Sequence, residues 1–187
     1  MSEDIDIYLA KGKGFMDKAI EHLQHELGKI RTGKASPAML NGIMVEYYGN
    51  ATPLSQVANV ATADARTLSI QPWEKSMLAT IERAIFEANL GLTPMNDGEF
   101  IRINIPPLTE ERRILLVKQA KHLGEEAKVS LRNDRHKMMD FIKTEVKEGY
   151  PEDLGKRKEA SVDKLVHDYS DKIDAMIAIK DKDIMKV

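Results

Sequence analysis

The side chains with the most chemistry to offer lie between Arg112 and Lys137. Eight basic residues (Arg112, Arg113, Lys118, Lys121, Lys128, Arg132, Arg135 and Lys137) meet three acidic ones there (Glu125, Glu126 and Asp134). The chain as a whole has a formal net charge of −2, so this window stands out as a positive island. Lys121, Lys128, Arg132 and Arg135 follow one another at steps of seven, four and three residues. In a helix those steps align them along one face. A basic ridge of this kind suits the phosphate backbone of a nucleic acid. A solvated face crossed by i,i+4 ion pairs would use the same residue types. Arg132 and Arg135 have few acids at those offsets, so charge favours the polyanion and leaves the solvated face as the alternative.

Catalytic constellations are thin. His22 and His25 sit three apart with Glu21 and Glu26 beside them, a start toward a metal site. No second histidine–carboxylate motif supplies further ligands, so solvated helix histidines are the better reading. His122, His136 and His167 stand among charged residues without a serine or cysteine nucleophile signature. The chain has no cysteine, which rules out disulfides, a thiolate nucleophile and Cys-ligated zinc. Gly12-Lys-Gly14 lacks the spacing and the preceding strand of a phosphate loop. We expect no enzyme, no metal and no cofactor.

The elements that must carry the ridge are long helices. Leu9, Met16, Leu23 and Ile30 recur every seven residues, with Ile20 and Leu27 in the adjacent row. This is the seam of a helix lying nearly parallel to its neighbours. Gly12 and Gly14 are poor helix formers, each costing about 1 kcal/mol relative to Ala, so the first turns are expected to fray. A second helix opens after Pro106 and Pro107, with Thr109 as N-cap and Glu110 and Glu111 at the positive end of its dipole. Its stripe of Leu116, Ala120, Leu123, Ala127, Leu131, Met138 and Ile142 runs toward Lys147, about 60 Å at 1.5 Å per residue. Gly149-Tyr-Pro151 breaks it, and a third helix places Val162, Leu165, Tyr169, Ile173 and Met176 on one face. An antiparallel three-helix bundle is the economical arrangement.

Residues 31–105 change character. Leu68-Ser-Ile70 and Ile101-Arg-Ile-Asn-Ile105 alternate apolar and polar, the period of a strand with one buried face. Tyr47-Tyr-Gly-Asn50 and Asn96-Asp-Gly98 are turn signals. Between them, residues 74–90 set Met77, Ile81, Ala84, Ile85 and Ala88 on one side, with Gly91 as C-cap. The fold class is therefore α+β. Residues 1–30 and 106–187 form a helical bundle, and residues 31–105 form an inserted β/α/β domain. Two short connections join the parts: Arg31, Thr32, Gly33 and Lys34 on one side, Ile105, Pro106, Pro107 and Leu108 on the other. Gly33 gives backbone freedom while the proline pair is stiff, as a hinge of limited rotation requires.

Composition agrees with a soluble cytoplasmic protein: 42% apolar, 31% charged and 5% aromatic. No run approaches the roughly 18 apolar residues of a membrane span. The acidic start, Met-Ser-Glu-Asp-Ile-Asp, resembles neither a secretory nor a transit peptide.

Several uncommon strings occur in a fixed order: Arg31-Thr-Gly-Lys-Ala-Ser-Pro37, Val45-Glu-Tyr-Tyr-Gly49, Thr52-Pro-Leu54, Ile70-Gln-Pro-Trp73, Leu90-Gly-Leu92 and Pro106-Pro-Leu-Thr-Glu-Glu-Arg-Arg113. Together they resemble the bacterial ribosome recycling factor family, collinearly across the whole chain. The resemblance implies an L-shaped, roughly tRNA-sized monomer that binds large-subunit rRNA at the subunit interface. It further implies work with elongation factor G on the post-termination ribosome, splitting it into subunits and freeing the messenger. GTP would be hydrolysed by that partner.

The family's basic Arg-Asn-x-Arg-Arg segment falls on Arg132-Asn133-Asp134-Arg135-His136. The arginines match, and planar guanidiniums offer bidentate phosphate binding. His136 stands at the third basic position and is only fractionally charged near neutral pH. Asp134 puts a negative charge where the family usually has an aliphatic residue, and both changes are expected to weaken local rRNA contact. Ser161-Val-Asp-Lys-Leu165 lacks the glutamine usual before that lysine. The expected rRNA contacts are Arg112, Arg113, Lys118, Lys121, Lys128, Arg132, Arg135 and His136. A helical scaffold binding partner helices or free RNA would explain the helices and the ridge, but not the ordered strings.

Overall fold

The computed structural model describes residues 2–186. The chain divides into two compact units. One takes in the chain up to Thr32 and again from Glu110 onward, and the other is Gly33–Thr109.

The first unit is three long helices: α1 (Ser2–Gly28), α4 (Glu110–Lys147) and α5 (Glu152–Met185). Tyr8 stacks on Phe141 at 4.1 Å between ring centres, and Lys128 of α4 meets Asp174 of α5. Successive helices therefore run antiparallel. The seam on α1 is Ile5, Gly12, Met16, Leu23 and Leu27, continued just past the helix end by Ile30, with Leu9 and Ile20 only half-buried. Gly12 belongs to this seam and is no weak point. A Cβ built there would lie 2.5 Å from Met138 Sδ, so a hydrogen lets the two helices approach. The helix runs unbroken through it, against the expected fraying. On α4 the buried row is Leu116, Ala120, Gly124, Ala127, Leu131, Met138 and Ile142, and Leu123 is half-buried. Val162, Tyr169, Ile173 and Ile184 face it from α5. Tyr169 donates its hydroxyl to Asp17 across the bundle.

The second unit holds more strands than the sequence reading placed there. β1 (Met44–Tyr47) and β2 (Asn50–Pro53) form a hairpin. Its turn residues Tyr48 and Gly49 both take positive φ, at 49° and 81°. A single helical turn, α2 (Leu54–Val57), leads into β3 (Ala58–Asp64) and β4 (Thr67–Pro72). After α3 (Leu78–Glu87) come β5 (Pro94–Asn96) and β6 (Ile101–Asn104). These four strands make one antiparallel sheet in the order β3-β4-β6-β5. Leu68 and Ile70 of β4 and Ile101 and Ile103 of β6 are fully buried, as their alternation requires. Leu78, Ile81 and Ile85 of α3 pack into the same core.

Helix α3 is shorter than expected at both ends. Lys75–Met77 form a 3-10 turn before it. Asn89 takes the left-handed conformation just past its C-cap Ala88, so the helix has ended before Gly91. Ile105 is buried in this unit's core, and its N–H donates to Arg66 O at 2.7 Å. Among the described residues no helix is long and apolar enough to cross a membrane.

Candidate nucleic-acid interface

Helix α4 carries the whole basic window on a single rigid rod. Arg112, Lys118, Lys121, Arg132, Arg135 and His136 are exposed, whereas Lys128 and Arg113 are half-buried. The ridge is less free than its sequence suggests. Lys128 Nζ lies 2.6 Å from Asp174 Oδ1, and Arg135 Nε donates to Asp163 Oδ1 at 2.8 Å. Both acids belong to α5. The expected shortage of acidic partners holds along α4 but fails across the helix pair for Arg135. Arg132, Lys121 and Lys118 have no ion pair among the described residues, and they are the cations most available to an incoming phosphate.

Two other positions behave differently from expectation. Asp134 is half-buried and turned toward α1, in a groove with Tyr8, Lys11, Gly12, Phe15, Lys137 and Met138. Burial raises its pKa, with nearby Lys137 pulling the other way. Asp134 therefore does not share the outward face of Arg132, and its charge is directed away from the ridge. Arg113 has its Nε atom buried without a hydrogen-bond partner among the described residues, so this guanidinium is partly packed rather than displayed. His136 Nε2 lies 3.5 Å from Asp140, an i,i+4 pair in which protonation would add attraction.

The histidines do not assemble a metal site. His122 is 3.0 Å from Glu126, and His167 is 3.4 Å from Asp171, each on its own helix. No cluster of three or more potential metal ligands occurs among the described residues.

The residues expected to form the connections separate into two kinds. Arg31, Lys34, Pro106 and Pro107 are exposed, and Thr32 is half-buried. Gly33 adopts φ +80°, and a Cβ there would lie 3.3 Å from Leu108 Cγ. The two connecting segments touch at this point. Ile105 instead anchors the β unit. Sequence reasoning missed Asp163 and Asp174, whose only signal was their place on a helix that antiparallel packing brings beside α4.

A three-helix bundle interrupted by a small antiparallel β unit, with a basic rod in the bundle, defines a class of two-unit proteins. Within that class the comparisons are specific. Residues 23–185 match the family model described as Ribosome recycling factor, and the chain belongs to this family. The ribosome-recycling factor of Cytophaga hutchinsonii is 52% identical over 185 residues, covering 99% of this chain and 100% of the relative. That of Christiangramia forsetii is 53% identical over 185 residues, again covering 99% and 100%. Among solved structures, a solution structure of the ribosome recycling factor superposes with a TM-score of 0.79 at 36% identity, covering 98% of both chains. A second has a TM-score of 0.64 at 41% identity, covering 97% of this chain and 98% of the other. It comes from models of the T. thermophilus recycling factor and E. coli elongation factor G bound to the E. coli post-termination complex.

Proposed function

We propose that this chain is a non-catalytic translation factor of the cytoplasm that recycles ribosomes after termination. It binds the post-termination ribosome through large-subunit rRNA. With elongation factor G, which hydrolyses GTP, it separates the subunits and frees the messenger. Membership of the recycling-factor family supports this reading, as does the bound state of the T. thermophilus relative. The observation that carries the contact surface is Arg132, exposed on α4 without an acidic partner among the described residues and flanked along the helix by Lys121 and Arg135. Phosphate contacts made by such side chains release counterions, so binding falls steeply with salt.

The hinge reading rests on the pair of connections. Gly33 holds a conformation that favours glycine, and Pro106 and Pro107 restrict φ on the other segment. Two tethers side by side, one freed by glycine and one stiffened by proline, allow rotation about a limited axis. Force applied by a GTPase to the β unit would then be directed through the bundle against the ribosome.

The decisive experiment is subunit splitting followed by light scattering, with elongation factor G and GTP supplied. Wild-type protein is expected to split post-termination ribosomes. Arg132→Ala combined with Arg135→Ala should lose ribosome affinity about tenfold or more and show a flatter salt dependence. Wild-type splitting by the double variant would remove the ridge from the contact. Equal pelleting with ribosomes and with any duplex RNA would favour a general RNA-binding scaffold instead.

A further inference from the structure

We propose that the outer edge of strand β3, with the groove beside Trp73, receives an extended segment of another polypeptide as a fifth strand of the sheet. β3 is the end strand of the order β3-β4-β6-β5. Trp73 N–H donates to Val57 O at 3.1 Å, and the register continues as Ala58↔Pro72, Asn59↔Gln71, Val60↔Ile70, Ala61↔Ser69 and Thr62↔Leu68. In an antiparallel ladder, pairs that exchange hydrogen bonds alternate with pairs that do not. Pro72 has no N–H, which agrees with bonded pairs at 57/73, 59/71 and 61/69. Val60 and Thr62 therefore turn both their N–H and C=O groups away from β4. No backbone group among the described residues takes any of these four.

Exposed edges of this kind are normally blunted by short length, proline or charge. The opposite edge follows that rule: β5 is three residues long and begins with Pro94. β3 is guarded less. It runs seven residues, reads Ala-Asn-Val-Ala-Thr-Ala-Asp with only its last residue charged, is exposed from Ala61 onward, and is irregular only at its far end, where the register shifts between Thr62 and Asp64.

Beside the first half of β3 lies a groove of about 290 Å³, whose apolar wall includes Leu40, Leu54 and Trp73 and whose polar side chains are Asn41, Ser55 and Asn59. Its lining contains no charged side chain, and Trp73 is 68% exposed. Unpaired main-chain groups next to an uncharged groove are the two parts of strand addition: backbone bonds give affinity, and the groove selects side chains. The fitting occupant is an extended, uncharged segment with one aromatic, proline or large aliphatic anchor. A second copy of β3 could pair with the edge, but it offers one valine and otherwise small or polar side chains. It would leave the groove unfilled.

The test uses the full-length, ¹⁵N-labelled protein and a blocked hexapeptide alternating threonine with leucine and tryptophan. Binding is expected to shift the Val60 and Thr62 amides and the Trp73 indole N–H, and to slow hydrogen exchange at both amides. The same peptide N-methylated at alternate residues should produce neither effect. Thr62→Pro deletes an N–H that the ladder does not use, so it should keep the fold and weaken the peptide at least tenfold. Trp73→Ala should weaken it through the groove and serves if the proline variant misfolds. Absence of shifts, shifts elsewhere, or undiminished binding by both variants would overturn the proposal. So would Val60 and Thr62 amides already protected in the free monomer. Protection that rises with protein concentration alongside a doubled sedimentation mass would assign the edge to a second copy.

Discussion

Arg135 Nε donates to Asp163 Oδ1 at 2.8 Å, joining α4 to α5 at the C-terminal end of the basic ridge. Both side chains are about half exposed, at 44% and 55%, so the pair contributes little to folding, about 0.2–1 kcal/mol. Its larger effect is on the ridge, where Asp163 competes with any phosphate for the guanidinium. Asp163→Asn should leave the melting temperature within a few degrees and tighten ribosome binding at low salt. The slope of log affinity against log salt should steepen by up to about one, the value of one added phosphate contact. An unchanged slope in filter binding would mean that Arg135 does not meet phosphate.

The helix glycines should respond to alanine in opposite directions. Gly14 is exposed with open space around its Cα, so Gly14→Ala should stabilise the bundle by about 0.5–1 kcal/mol through helix propensity. Gly12→Ala would bring a methyl group to 2.5 Å from the buried Met138 sulfur. Overpacking of this kind outweighs the propensity gain, with a net loss of about 1–2 kcal/mol. Urea unfolding of both variants gives the comparison, and equal effects would show that Met138 yields freely.

Tyr169 titrates in a way that stability should report. Burial pushes its pKa up to about 12, and the hydrogen bond and charge of Asp17 add to the shift. An unfolded tyrosine titrates near 10. Between those values the folded chain keeps the proton and the unfolded chain releases it. The stabilisation is therefore complete below pH 10 and is lost as pH rises toward 12. Tyr169→Phe lacks this contribution, so its stability deficit relative to wild type should shrink between pH 8 and pH 11. A constant deficit in urea unfolding would show that the phenol titrates normally.

Gly33→Ala tests the hinge. The substitution imposes a strain of about 1–2 kcal/mol at φ +80° and crowds Leu108 Cγ at 3.3 Å. Ribosome binding should stay within about twofold of wild type while subunit splitting slows several-fold. Leu108→Ala added to it would relieve the crowding but not the backbone strain, so it should restore only part of the rate. Normal splitting by Gly33→Ala would place the mechanical element elsewhere.

The bundle was legible because α1, α4 and α5 repeat an apolar pattern over many turns, and repetition averages out local exceptions. Strands β4 and β6 were legible for the same reason on a period of two. β3 was not: its alanines, threonine and asparagine carry no apolar alternation, because an edge strand half outside the core needs none. β2 ends in Pro53 and hides behind a tight turn. The basic window was visible as composition. Its pairing with Asp163 and Asp174 was not, since these acids lie far along the chain and only antiparallel packing brings them to Arg135 and Lys128. Gly12 was misread because propensity registers what glycine loses in a helix and misses the space it gives a neighbour. The family's motif was recognised at Arg132-Asn133-Asp134, but the direction of Asp134 needed the helix rotation fixed by the core.

Gly12 opposite Met138 has two companions: Gly124, where a Cβ would lie 2.8 Å from Ile177, and Gly155, where it would lie 2.6 Å from Val146. Each is a place where sequence change is directional. A glycine here can gain an atom only after its partner has lost some, so permissible histories pass through the larger residue first. Met138, Ile177 and Val146 thus act as gates on how positions 12, 124 and 155 drift. Related chains should exchange volume within each pair, one side growing as the other shrinks, while the separation of the helix axes stays the same.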